Sequence, residues 1–432
     1  MEARNSERIS DCVIDTANSL GPETLISPVS NGTRKISASL LSPPDLPYAS
    51  SPSSSTTTAA MQLEAESLEI PESLYTAEEL AWCGFNIETA QLLIDKFLES
   101  STEDTLDVFL SHHIRTFQFD DDDEDHDWTA AMKKIGISDD LRIRILNPQF
   151  SDIRCTQPLR VWLEEFITSN VLTMRLMDEN LKDKLEHLRK PQSMLREGAG
   201  AEEERSKFKI ARLGYDTLYR ATTTERLKNV FLETGVTLEN CMQHVAFSQP
   251  PNDFGWAGYG TMFYFTKQDF VAQWYAEYAA NCIQNKHDVV VLRICSKQQT
   301  TQPFNKTWKL EYGDDWRRLV WHSRNSKPFP KQLKEKFSSC DVITGPISIN
   351  ATSTNRRMKD WTEVNESHVF NIRPWGQGGP TVQGTQHVFK WPDVMQDLNE
   401  KVDVDLFKCY PVIKRLATPR KWIACRLGNK RQ

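Results

Sequence analysis

The chain has 432 residues and a formal net charge of −7, long enough for two or three domains and more than one buried core. Residues 1–206 hold 19 Lys/Arg against 38 Asp/Glu, whereas residues 207–432 hold 33 against 21, so the halves carry −19 and +12. Nine scattered cysteines without a C-x-x-C pair argue against a disulfide framework or zinc cage, and the absence of any ~18-residue apolar run argues against a membrane span; an intracellular protein, cytoplasmic or nuclear, is expected. The acid–base asymmetry suggests two separately evolved parts, the basic one either facing an anion or simply solvated.

Residues 1–71 form a Ser/Thr/Pro-rich opening that includes the run SPSSSTTTAA and is almost free of aromatic residues, so a disordered tail is expected there. From 72 to 188 the pattern is helical and acidic. Thr76-Ala-Glu-Glu is a helix cap ahead of Leu80, Trp82 and Phe85, and Ile87, Ala90, Leu93, Ile94 and Phe97 then share one face. Leu106, Phe109, Leu110 and Ile114 repeat that spacing. Seven acids fill eight positions at 120–127, which reads as a solvated loop or a tether for something basic. Trp128, Met132 and Ile135, then Leu159, Trp162, Leu163, Phe166 and Ile167, add further amphipathic helices. Residues 189–207 mix Pro, Gly and charge without periodicity, as a linker does.

A second folded part is expected over 208–402. Thr217–Thr222 reads as a strand, and ERLKNVFLETG as a helix capped by Thr223 or Thr224 and ended by Gly235. The stretch DFGWAGYGTMFYFTKQDFVAQWYAEYA, residues 253–279, holds three glycines that let backbone approach a ligand, a buried strand Met262–Thr266, and a helix with Thr266 as its cap. Asp288–Cys295 is a strong strand, Asp314–Arg324 a helix charged to suit its dipole, Cys340–Pro346 a strand running into a turn, and Thr385–Trp391 an alternating strand that Pro392 stops. Strands and helices interleave irregularly with no strand–GxGxxG–helix unit, so the fold is α+β and not a Rossmann fold.

The order of LYRAT, DFGWAGYGTMFYFT, KQDFVAQWYAEYA, DDWRRLVWHSRN, CDVITGPIS and TQHVFKW resembles an ADP-ribosyltransferase-like group related to the diphtheria-toxin and poly(ADP-ribose) polymerase branch, over roughly residues 210–400. Asp253-Phe254-Gly255, Gly260, Phe263–Thr266, Asp341–Pro346 and Gln386–Phe389 match that group's segments in order. The resemblance implies a split mixed β-sheet with NAD, as substrate, bound between two small sheets. It places nicotinamide between Tyr264 and Tyr275, which lie eleven residues apart; stacking and cation–π attraction to a flat cation contribute ~0.5–2 kcal/mol per ring. Aromatic residues on a strand and a helix face also serve as plain core. Gly260 would admit the cofactor's close approach.

Two positions depart from the group. Where it has His-Gly, the backbone gripping the carboxamide, this chain has Arg220-Ala221. Arg220 is then either an NAD-orienting clamp on phosphate or ribose, or a salt-bridge partner. Where active members carry a Glu on the last strand, this chain has Gln386, which can bond the ribose hydroxyl but offers no charge to a cationic transition state. Glu311 and Glu366 are the nearest acids by region, and no motif supports either. The resemblance therefore implies mono-ADP-ribosyl transfer to a protein acceptor, a glycosyltransferase reaction on NAD, or else an inactive scaffold acting as an interaction module. Scattered histidines show no metal-ligand spacing. The C-terminal extension 403–432 is basic, with eight Lys/Arg and no acid over Lys408–Gln432, suited to a nucleic-acid backbone or to plain solvation.

Overall fold

The computed structural model describes residues 8–20, 24–41, 67–100, 104–118, 128–189, 215–227, 231–232, 235–236, 253–254, 262–297, 306–349, 352–373, 380–390 and 402–408. The acidic run at 120–127, the linker beyond Arg189, the glycines at 255, 258 and 260, and residues 409–432 lie outside these.

The opening of the chain is folded where it is described. Helix α1 (Asp11–Asn18) is followed by strand β1 (Thr33–Ser37), helix α2 (Ala38–Leu41) and strand β2 (Ser67–Pro71), which pairs antiparallel with β1 from Thr33 opposite Pro71 to Ser37 opposite Ser67. The expected disorder is thus replaced by structure over the described residues 8–20, 24–41 and 67–71, whereas the run SPSSSTTTAA lies outside the described residues. Each segment carries only one to three apolar side chains, Ile9, Val13, Ala17, Ile26, Ile36 and Ile70, but all of them are buried in the core of the helical part. Polar anchors complete the docking. Buried Arg8 pairs with Glu79 at 2.9 Å and donates to the carbonyls of Pro71 and Met174, each at 2.8 Å. Arg34 pairs with Glu72 at 2.8 Å.

The helical part follows the expected spacing: α3 (Ala77–Cys83), α4 (Ile87–Glu99), α5 (Leu106–Thr116), α6 (Trp128–Lys134), α7 (Asp139–Ile145), α8 (Ser151–Arg154), α9 (Leu159–Arg175) and α10 (Met177–Arg189). Thr76 caps α3 by accepting from the Glu79 N–H at 3.3 Å, while the Glu79 carboxylate takes the Tyr75 N–H at 2.6 Å. Among the described residues no helix is long and apolar enough to cross a membrane.

In the second part, β3 (Tyr215–Thr223) runs into a short helix α11 (Thr224–Leu227), and β4 (Phe231–Leu232) pairs with β5 (Gly235–Val236). Of the helix expected to reach Gly235, Thr224–Leu227 is described as helical, while Phe231–Leu232 and Gly235–Val236 are paired strands, so Gly235 opens a strand and does not end a helix. Strand β6 (Met262–Phe265) leads to α12 (Asp269–Cys282), β7 (Val289–Lys297), β8 (Thr307–Lys309), α13 (Asp314–Arg324), α14 (Lys331–Ser339), β9 (Val342–Pro346) and α15 (Thr352–Arg357). Then come β10 (Asn371–Ile372), β11 (Val382–Gln383), β12 (Thr385–Lys390) and β13 (Val402–Lys408). Gln268, not Thr266, occupies the N-cap of α12; the Thr266 hydroxyl accepts the Gln268 N–H at 3.0 Å instead.

Two small sheets result. One has the order β6-β12-β9-β8, antiparallel except for the β8–β9 pair, and the other is the antiparallel β13-β7-β3. They abut where Tyr219 and Thr266 exchange backbone hydrogen bonds of 2.7 and 2.9 Å. An α+β class holds. Strand β13 extends the sheet to Lys408, so the C-terminal extension begins later than 403.

The expected separation of a helical module from the second domain does not extend to their packing. One core runs from α3–α10 into α12 and β7, through Val271, Ala276, Tyr278 and Val289. The Tyr278 ring meets Trp162 edge-on at 4.9 Å, and its hydroxyl donates to the Ile145 carbonyl at 3.1 Å. Gln284 donates from its side-chain amide to the Trp82 carbonyl at 2.8 Å and from its backbone N–H to Asn170 Oδ1 at 2.9 Å. A second core, holding Phe254, Trp316, Leu319, Phe337 and Ile343, lies under the four-stranded sheet.

A buried carboxyl sits at the seam. Asp288 accepts from Asn285 at 2.6 Å, Thr173 of α9 at 3.3 Å and Thr224 at 3.4 Å. Burial first, then the neighbouring Glu225 carboxyl, push Asp288 well above the usual carboxylate range. The folded chain thus keeps a proton that the unfolded chain releases above pH ~4, so this group costs stability as pH rises from there towards its folded pKa. Asp288→Asn is expected to remove that decline. In thermal melts its advantage over the wild type should widen from pH 5 to pH 8, and parallel pH profiles would contradict the assignment.

Candidate functional site

The two sheets and helices α9 and α12 enclose a cavity of about 160 Å³. That is the size of one aromatic ring: an apolar cavity of ~150 Å³ accommodates benzene. Arg220 and Ala221 enter it from β3, Tyr264 from β6, Tyr275 from α12 and Gln386 from β12. These five positions, singled out in sequence, therefore meet in one place. Gly260 lies outside the described residues.

Each tyrosine is fixed by its hydroxyl. Tyr275 Oη donates to Thr156 Oγ1 at 2.8 Å, and its ring lies 6.2 Å from that of Trp162. The Tyr264 hydroxyl reaches the backbone of Phe254; burial, then the nearby Asp253 carboxylate, push that phenol well above its usual range. Burial likewise raises Tyr275, the Thr156 contact opposing it. Both remain neutral phenols in the physiological range, so they offer ring faces and no charge.

Arg220 Nη1 donates to the Tyr264 carbonyl at 2.9 Å, which ties the two sheets together at the cavity wall. Burial pulls the Arg220 pKa down to about 10, with Glu165 acting against the fall and Arg226 adding to it. At neutral pH the guanidinium is charged.

Gln386 is held by a network centred on Asp253. Its Nε2 donates to Asp253 Oδ2 at 2.8 Å and to the Pro346 carbonyl at 3.1 Å. Asp253 also receives Arg324 Nε at 2.9 Å and the Ser348 N–H at 2.7 Å, and it bonds the Ser348 hydroxyl. Arg324, fully buried, reaches across to the Thr156 carbonyl at 2.7 Å. Both amide hydrogens of Gln386 are therefore committed to the protein, which leaves its carbonyl oxygen, an acceptor, for a ligand hydroxyl. The neutral amide has a physical reason as well: a glutamate here would face Asp253, and two adjacent buried carboxylates cannot both ionise. Close packing also explains Gly345, where a Cβ would lie 2.9 Å from the Leu310 carbonyl oxygen and 3.2 Å from the Phe254 ring.

Glu311 and Glu366 are exposed and do not line the cavity. The helical part instead supplies a wall that the sequence did not announce: Gln157, Val161, Trp162, Glu165, Phe166 and Ser169. Val161, Glu165 and Ser169 form an i, i+4 row on the flank of α9, beside the apolar face formed by Leu159, Trp162, Leu163 and Phe166. That row was the available signal, but nothing in sequence says what it faces.

Gln386→Glu is expected to lower stability at pH 7 by on the order of 3 kcal/mol, as for a carboxyl raised by about two pKa units. Because the folded state would then bind the extra proton, the loss should shrink as pH falls towards 4. Denaturant titrations at pH 4.5 and 7.5 check this, and a pH-independent loss would contradict it.

Comparison with known proteins returned no matching family model, no matching curated protein and no matching solved structure.

Proposed function

We propose that the chain binds NAD with the nicotinamide ring in this cavity, between Tyr264 and Tyr275, and transfers ADP-ribose to a protein acceptor. The observation that carries the reading is the convergence of Arg220, Ala221, Tyr264, Tyr275 and Gln386 on one ring-sized cavity. Those residues come from three strands and a helix spread over positions 220–386, and they bring an arginine, two phenols and an amide to the wall of one cavity.

The chemistry suits the ligand. A cationic aromatic ring gains from two aromatic faces. Arg220, at the rim between β3 and β6, has the charge and planar fork to hold phosphate. The Gln386 carbonyl oxygen can accept from a ribose hydroxyl. A cavity of about 160 Å³ is smaller than the ~300–1,000 Å³ typical of whole-ligand pockets, so the rest of the dinucleotide must lie along the outer edge of the two sheets.

An inactive NAD-binding or interaction scaffold is the second reading. The neutral Gln386, both of whose amide hydrogens bond the protein, favours it.

Incubation of the full chain with labelled NAD separates these. The wild type is expected to bind NAD and to pass label to protein. Tyr264→Ala should weaken binding by roughly threefold to thirtyfold, the equivalent of ~0.5–2 kcal/mol of ring contact. Binding without any label would select the scaffold; no binding at all would overturn the proposal.

A further inference from the structure

Two carboxylates lie near the cavity: Asp253, behind Gln386 and already paired with Arg324, and Glu165. Two guanidiniums bear on the cavity, Arg220 in the wall and Arg226 just behind, and among the described lining residues Glu165 is the one carboxylate. Glu165 comes from α9, in the helical part, and not from either sheet. Arg226 Nη2 stands 3.3 Å from Glu165 Oε2 and also approaches the Glu165 carbonyl at 3.4 Å, which steadies the side chain at the wall. The Glu165 side chain nonetheless stays 26% accessible at the cavity wall.

Resting on the NAD-binding reading, we propose that Glu165 is the catalytic carboxylate of this site, supplied by the helical part in place of an acid on the last strand. Asp253 disfavours a glutamate at 386, its direct hydrogen-bond partner, whereas Glu165 arrives from α9 and pairs with Arg226. In the reaction the bond between ribose C1′ and the nicotinamide nitrogen breaks with its electron pair passing to that nitrogen. Neutral nicotinamide leaves, and positive charge passes to the ribose C1′ and ring oxygen. Glu165 faces that charge and accepts from a ribose hydroxyl. The acceptor's nucleophile, or water, then bonds to C1′ and loses its proton to solvent. A fixed negative charge at the cavity wall acts in just the step where Gln386 offers only a dipole. The helical part then completes the site, beyond merely packing beside it.

The test uses the full-length chain, with NAD affinity measured by calorimetry and nicotinamide release from labelled NAD. Glu165→Gln is expected to bind NAD within about threefold of wild type yet release nicotinamide ~100-fold to 1,000-fold more slowly. Arg226→Gln, which removes only the partner that steadies the carboxylate, should slow release by a few-fold. Should Glu165→Gln melt at a much lower temperature than wild type, Glu165→Asp takes its place: slow release with intact affinity is again expected. Release at the wild-type rate from these Glu165 variants overturns the assignment while leaving NAD binding standing. So does a wild type that binds NAD and releases nothing. A wild type with no NAD affinity overturns both.

Discussion

The structure depends on a buried ion pair, Arg324 with Asp253, fully buried and 3% exposed respectively. Ion pairs so deep contribute little net stability beside an apolar alternative, but breaking one by removing a partner costs ~3–5 kcal/mol. Its value here is positional. Asp253 stands at the head of the glycine-rich stretch, Arg324 at the end of α13, Ser348 just after β9 and Gln386 on β12, and Arg324 also reaches Thr156 in the helical part. One carboxylate thus fixes the relation of four segments, of which β12 and the residues just after β9 line the cavity through Gln386 and Ile347.

Two properties of the site follow from that constraint. Position 386 takes a neutral amide because the neighbouring carboxylate is already there. The cavity is also a joint product of both halves of the chain: Thr156 holds the Tyr275 hydroxyl, Trp162 backs its ring, and the same threonine receives Arg324 through its carbonyl. Negative and positive halves of the sequence therefore meet at Glu165 and Arg226, so the charge asymmetry is in part an internal complementarity.

Much of the scaffold was legible in sequence because local signals and tertiary demands agree. The apolar run at 289–292 lies in β7 with all four residues buried, and of the face expected on α4, Ala90, Leu93 and Ile94 are buried and Phe97 partly so, whereas Ile87 in the first turn is exposed. Tyr264 and Tyr275 fall on strand and helix as read. What escaped has identifiable causes. Residues 8–41 look polar because each segment contributes few apolar side chains and docks partly through Arg8 and Arg34. In β13, Val402, Val404 and Leu406 alternate with Asp403 and Asp405, a period-two strand signal hidden by its acids and by the basic tail beyond. Phe231–Leu232, helix-compatible by type, instead pairs with Gly235–Val236, where the Gly read as a helix end opens a strand. Glu165 was beyond reach altogether: its role is set by what α9 packs against, and only the fold supplies that.

The most direct measurement is a crystal structure of the full chain grown with NAD or nicotinamide. The account predicts the ring in the cavity walled by Tyr264, Tyr275 and α9, with a ribose or its neighbouring hydroxyl within reach of Glu165 and the Gln386 carbonyl. A ligand bound elsewhere, or tyrosine rings closed against each other with no space for it, would contradict the account.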